Sequence, residues 1–226
     1  MFRVTCLALL ASSAALSARA NDTTAELKTG GLFYTRSDAI SMEEEKLYIS
    51  PRQVHVDYIY RNTSDKTVET YVAFPLPDIP GGPEQNIDAG DTESENFLGF
   101  TVTQDGADIK PSLQLRAYVG ALDMTDVVSA AGIPMNPQSQ RAREAIGKLP
   151  KETIEDWLTR GLVIADAYDD GSGWKTDYVP MWTLKSAYYW KTSFVPGKDI
   201  EVSHSYRPSV GGTVATTFLD ENDEPK

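Results

Sequence analysis

The stretch Val54-His55-Val56-Asp57-Tyr58-Ile59-Tyr60-Arg61 alternates with a period of two. Val54, Val56, Tyr58 and Tyr60 fall on one face of an extended chain, and His55, Asp57, Ile59 and Arg61 fall on the other. Successive side chains of a strand point to opposite faces, so this reads as a β-strand with one face in a core. On its C-terminal side Asn62-Thr63-Ser64-Asp65 is a turn cluster, after which Val68, Thr70, Val72 and Phe74 again share a face. The pattern predicts an antiparallel hairpin with one buried face. Pro75, Pro77 and Pro80 stop the second strand, because proline has no N–H to give to a ladder.

Residues 81–96 hold Gly81-Gly82-Pro83 and the acids Glu84, Asp88, Asp91, Glu93 and Glu95, with little apolar content, which predicts a solvated loop. Residues 97–102 and 109–118 then flank Asp105-Gly106, a strong hairpin signal. The period changes near Leu122. Met124, Val127, Val128 and Ala131 follow helical spacing, with Asp123 as the expected N-cap and Gly132 and Pro134 as the stop. Ala142, Ala145, Ile146 and Leu149 form a second stripe, and Ile154, Trp157, Leu158 and Leu162 a third, opened by Pro150. Strand character returns at Tyr178 and runs through Trp182, Leu184, Tyr188 and Trp190, then Ile200, Val202, His204 and Tyr206, to a last strand over 214–219. The expectation is a mainly β chain: an antiparallel β-sandwich over residues 21–219 with a three-helix insertion at about 122–162 and a polar tail at 220–226.

The 226 residues carry 33 acidic and 21 basic side chains, a net charge of −12, and one cysteine. That balance argues against a nucleic-acid partner, because phosphates are bound by clustered Lys and Arg. No segment supplies the roughly 20 apolar residues that span a bilayer as a helix. Met1-Phe2-Arg3, the apolar run over 4–16 and Ala18-Arg19-Ala20 read as an export signal cleaved after Ala20. The expected mature chain has net charge −14 and no cysteine, which removes disulfides and thiolate chemistry. A cysteine-free exported domain fits a bacterial periplasm better than a eukaryotic exterior.

The constellations that carry chemistry are sparse. His204 shares a face with Ile200, Val202 and Tyr206 and reads as a core histidine, whereas His55 lies on the polar face of its strand. Ser203 and Ser205 flank His204, but neighbours along a strand point apart and cannot form a nucleophile–base pair. Glu152, Glu155 and Asp156 lie on one helix flank, as expected by abundance alone. No cofactor fingerprint is present. The cation candidate is Ca²⁺ in the loop over 166–177, where Asp166, Asp170 and Gly171 match calcium-loop positions, while Tyr168 breaks the pattern and Asp177 replaces the closing glutamate. Trp174 in its glycine loop and Tyr189 beside Lys185 and Lys191 are the candidates for a sugar- or peptide-contacting patch.

The start Asn21-Asp-Thr-Thr-Ala-Glu-Leu-Lys-Thr-Gly-Gly-Leu32, the stretches Arg36-Ser-Asp-Ala-Ile-Ser-Met-Glu-Glu-Glu45 and Leu47-Tyr-Ile-Ser-Pro51, and Ala73-Phe-Pro-Leu-Pro-Asp78 resemble a bacterial exported family. So do Trp190-Lys-Thr-Ser-Phe194 and Val202-Ser-His-Ser-Tyr-Arg-Pro208. That family is the DUF4424 family, a domain of unknown function. The resemblance implies a periplasmic protein, carries over no catalytic residue, and implies a member truncated at its C-terminus.

The expected function is a non-catalytic binding or envelope-associated module with a protein or glycan partner. The alternatives are a carboxylate-dependent enzyme acting on cell-wall or polysaccharide substrates, and a calcium-stabilised adhesion module. A sandwich with missing strands also predicts self-association through an unpaired edge.

Overall fold

A computed structural model of the chain describes residues 23–28, 31–35, 37–83, 85, 87–88, 90–208 and 210–211. The export signal, the polar tail and the expected strand over 214–219 lie outside the described residues. The first half contains β1 (Thr23–Lys28), β2 (Gly31–Thr35), β3 (Ile40–Ile49), β4 (Val54–Asn62), β5 (Val68–Pro75), β6 (Ile79–Pro80), β7 (Ile87–Asp88), β8 (Thr101–Gln104) and β9 (Ala107–Ile109). Next come β10 (Ser112–Val119), β11 (Leu122–Asp123) and the helices α1 (Thr125–Ala130), α2 (Gln140–Ile146) and α3 (Lys151–Thr159). The chain continues through β12 (Val163–Asp169), β13 (Trp174–Pro180), β14 (Thr183–Phe194), β15 (Asp199–Tyr206) and β16 (Val210–Gly211).

Two antiparallel sheets face one another. One runs β11-β10-β14-β5-β1-β2, with β6 beside β14, and the other runs β3-β4-β15-β8-β9. Their inner faces share one core: Val72 and Phe74 of β5 and Leu184, Tyr188, Trp190 and Phe194 of β14 meet Val102 of β8 and Val202 of β15. Mainly antiparallel β structure with three helices is therefore observed, as the alternation predicts.

The hairpin expected across 62–65 is not formed. β4 pairs with β3 and β15, whereas β5 pairs with β14 and β1, so the two strands belong to different sheets. Asn62 is buried at the crossing and pins it. Its Nδ2 donates to the carbonyls of Lys66 and Phe194, each at 2.7 Å, and its Oδ1 accepts from the Ser64 N–H at 2.9 Å and the Ser64 hydroxyl at 2.7 Å. An alternating pattern is the same whether the next strand is a ladder partner or lies across the core, so sequence does not distinguish them. At Asp105-Gly106, by contrast, both residues adopt positive φ (51° and 77°), the primed turn that joins β8 to β9.

The helices pack a second core. Val128, Ala142, Ile146, Ile154 and Trp157 meet Leu162, Val163 and Trp182. Trp157 and Trp182 cross edge to face at 6.2 Å, and Trp182 Nε1 donates to the Met135 carbonyl at 2.8 Å, tying the insertion to the chain entering β14. No helix among the described residues is long and apolar enough to cross a membrane.

Candidate functional site

Residues 91–97 form a roof over the junction between the two cores. The stretch lies at the surface, as expected, with residues 91–96 exposed or half-buried, and Glu93 straps it to the start of α2. Its carboxylate accepts from the Ser139 hydroxyl (2.9 Å), the Gln140 N–H (2.6 Å) and Arg141 Nε (2.7 Å). Ser139 is the N-cap of α2, so a carboxylate lies where the helix presents unsatisfied N–H groups and positive partial charge. The Arg141 guanidinium, with help from Ser139 and the backbone, holds the Glu93 carboxyl below the usual carboxylate range. The other end of the roof is fixed by Asn96, which donates to the Phe100 carbonyl and accepts from the Phe100 N–H and the Tyr188 hydroxyl. Burial, then the nearby Glu95 charge, raises the Tyr188 phenol, which stays protonated and keeps donating.

Under this roof lies a half-enclosed cleft of about 490 Å³. Phe97, Leu115, Ile133, Met135 and Leu184 supply apolar lining, and Glu95, Ser129 and Asn136 supply polar groups. Asn136 is 8% exposed, and its Oδ1 accepts from the Gln138 N–H at 3.0 Å. That bond fixes which end of the amide is which, so the other atom is the donor Nδ2. This Nδ2 is buried and has no hydrogen-bond partner. Buried amide groups are nearly always paired, and an unmet one costs about 1–3 kcal/mol. The segment around it is tied down on both sides: Trp182 Nε1 donates to the Met135 carbonyl, and Gln138 Nε2 donates to the Pro80 carbonyl at 2.7 Å.

A second, more open cleft of about 650 Å³ is lined by Arg52, Gln53, Asn96, Ser205 and Arg207. Beside it β4 and β15 align His55 with Ser205 and Asp57 with Ser203. His55 Nδ1 lies 2.6 Å from Ser205 Oγ and His55 Nε2 lies 3.1 Å from Asp57 Oδ1, which also accepts from Ser203 Oγ at 2.5 Å. A hydroxyl–imidazole–carboxylate row thus forms, with Ser205 and His55 joined across strands and His55 and Asp57 joined along β4, two residues apart on one face, where adjacent residues of a strand cannot pair. It is a ladder in which each polar group is satisfied by its neighbour, on a face where the His55 and Asp57 side chains are 39% and 45% exposed. The Ser–x–Ser and His–x–Asp spacings were its trace in sequence, but only the register of two strands 150 residues apart joins them.

The remaining candidates disperse. Trp174 opens β13 at the end of the β12–β13 hairpin and is 79% exposed. Tyr189 is half-buried in β14 with its ring 5.9 Å from Tyr71, while Lys185 and Lys191 pair with Asp78 and Glu69. Neither aromatic lines either cleft. Residues 166–177 are mostly strand: Asp166 and Asp177 face each other in register, and only 170–173 turn. Asp170 pairs with Lys175 and accepts from Ser172, which together hold its carboxyl down to about 2. Among the described residues no three of His, Cys, Asp and Glu gather as a metal site. His204 is buried, as expected, with its ring 4.6 Å from Phe74 and 5.5 Å from both Tyr58 and Phe100.

Residues 20–225 match the family described as "Domain of unknown function (DUF4424)". No curated protein matches the chain. Among solved structures, a crystal structure from Legionella pneumophila subsp. pneumophila, described as a "putative nutrient binding protein", is similar with 17% identity and a TM-score of 0.34. The similarity covers 76% of this chain, which spans only 40% of that one.

Proposed function

This chain belongs to the DUF4424 family of domains of unknown function, and we propose that it is a binding module that holds a small organic ligand in the cleft beneath the 91–97 roof. The observation that carries this reading is the buried Asn136 Nδ2, a donor without a hydrogen-bond partner on a residue that lines this half-enclosed cleft. A small shift of the side chain would bring this buried donor to the cleft surface, where a ligand carbonyl, carboxylate or hydroxyl oxygen accepting from it would relieve the cost of the unmet amide. The apolar lining would then hold the ligand's hydrocarbon portion, a combination typical of small-molecule sites. The acidic Glu95 and the Ser129 hydroxyl offer acceptors on the same cleft, which favours ligands with donors of their own. The amino-terminal export signal supports placing this binding in a bacterial periplasm.

The test is a thermal-shift screen with amino acids, dicarboxylates and short oligosaccharides, run on the wild-type chain and on Asn136→Leu. A ligand that binds the folded state raises the melting temperature. We expect at least one compound to do so in the wild type and to lose its effect in Asn136→Leu, a change of similar volume without the donor. A screen with no shift, or one whose shifts are equal in the two proteins, sinks the reading.

A further inference from the structure

The cleft beneath the 91–97 roof carries an unbalanced charge. Glu93, Glu95 and Arg141 are the charged side chains of its lining. Two of them cancel, because Arg141 Nε donates to the Glu93 carboxylate at 2.7 Å while its Nη2 donates to the Glu93 carbonyl. Glu95, by contrast, makes no ion pair or hydrogen bond among the described residues. The lining is left with one uncompensated carboxylate.

That charge is felt inside the protein. Burial is the main reason that the Tyr188 phenol is raised, and the Glu95 charge is the second, although Tyr188 is only 3% exposed. Low-dielectric walls focus the field of such a carboxylate into a cleft, which attracts cations and repels anions. The polar atoms deeper in are of another kind. Asn136 Nδ2 is an uncharged donor without a partner. Ser186 Oγ is also buried without one, and Ser186 stands opposite Leu115 and two residues from Leu184, both of which line the cleft. With Arg141 held by Glu93, a ligand carboxylate would find no free counter-charge on this lining. Burying an unpaired carboxylate costs far more than burying an uncharged oxygen.

Resting on the reading of this cleft as a ligand site, we infer that its ligand is an organic cation: an aliphatic amine whose ammonium group pairs with Glu95 and whose other end offers an uncharged carbonyl or hydroxyl oxygen to Asn136 and Ser186. Phe97, Leu115 and Ile133 supply apolar surface for the hydrocarbon of such a molecule. The cleft, about 490 Å³, falls within the size range of small-molecule sites.

The test is a panel of amino alcohols and amino amides titrated calorimetrically into the purified chain. Each is run beside two relatives of the same carbon skeleton, one with a hydroxyl in place of the ammonium group and one with an added carboxylate. Aminohexanol, hexanediol and aminohexanoate form one set; leucinamide, its hydroxy-acid amide and leucine form another. In at least one set the amine should bind about tenfold or more tighter than either relative, and Glu95→Gln should remove that advantage. Glu95 is exposed and glutamine keeps its shape, so the variant should fold, which its melting temperature without ligand checks. An amine with no advantage, or one whose advantage survives Glu95→Gln, overturns the inference. If neutral or anionic compounds bind instead and Asn136→Leu abolishes their binding, the cleft stands as a ligand site and only its preference for a cation falls. A panel in which nothing binds overturns the inference as well.

Discussion

His204 is uncharged at neutral pH for a reason that its surroundings make plain. Removed from water among Phe74, Phe100, Tyr58 and Tyr206, the imidazole is pushed down to about 4, burial being the main cause and the nearby His55 the second, against a smaller opposing pull from Asp57. In the unfolded chain the same ring titrates near 6.5. Between these values the unfolded state binds a proton that the folded state refuses, so stability falls as pH drops from 6.5 towards 4. The full span is worth about 3 kcal/mol at roughly 1.4 kcal/mol per unit. Urea unfolding at neutral pH and near pH 4 (about the lower limit of that window) should show the loss in the wild type and a flatter profile in His204→Phe. Equal slopes in the two proteins would count against this account. The burial of this ring was legible in the alternation of Ile200, Val202, His204 and Tyr206. The unmet amide of Asn136 was not legible. Asn136-Pro137-Gln138-Ser139 announces a local turn, but the roof that encloses it comes from residues 91–97, and nothing in a linear pattern brings the two together.

At the scale of elements, periodicity told helix from strand and failed on partnership. The three apolar stripes became α1, α2 and α3, with Val128, Ala142, Ile146, Ile154 and Trp157 buried as their spacing requires. Asp123 accepts from the Thr125 N–H at 3.0 Å, although the N-cap position itself falls one residue later, on Met124. Trp157, 2% exposed and set edge-on to Trp182, is the largest group holding the insertion together. Trp157→Ala should cost about 3–5 kcal/mol of stability by urea denaturation, since a buried indole leaves a cavity that its neighbours fill only in part. A loss below about 1 kcal/mol would mean that the helices are held by something other than this core. Two misreadings share a cause. The β4–β5 connection and the 166–177 segment both look like punctuation in sequence, yet one is a crossing between sheets and the other is a paired hairpin. Turn residues report where the backbone bends, not which surface it bends toward.

For the whole molecule, the acid excess falls on exposed positions such as Glu43, Glu44, Glu45, Asp166, Asp169, Asp170 and Asp177, where it favours solubility. The address is a property of the entire chain and is checked as one. N-terminal sequencing of the protein recovered from an expressing bacterium should begin at Asn21, and fractionation should find it in the periplasm. An intact Met1 in the cytoplasmic fraction would refute that placement. Architecture at this scale was legible because alternation and helical spacing each persist over many residues. Strand order was not, because it depends on pairings such as β14 with β5 and β15 with β4, which join residues more than a hundred positions apart.

The crossing at Asn62 also constrains how the protein is made. β4 waits for β15 and β5 waits for β14, so each inner strand of the N-terminal half has a neighbour on one side only, β3 or β1, until the C-terminal strands exist. A chain leaving the ribosome amino end first has no closed sheet to settle into until Tyr206 has emerged. Such long-range pairing is slow, and it leaves both sheets incomplete for most of the chain's synthesis. That is the state in which a polypeptide is most easily threaded through a narrow pore.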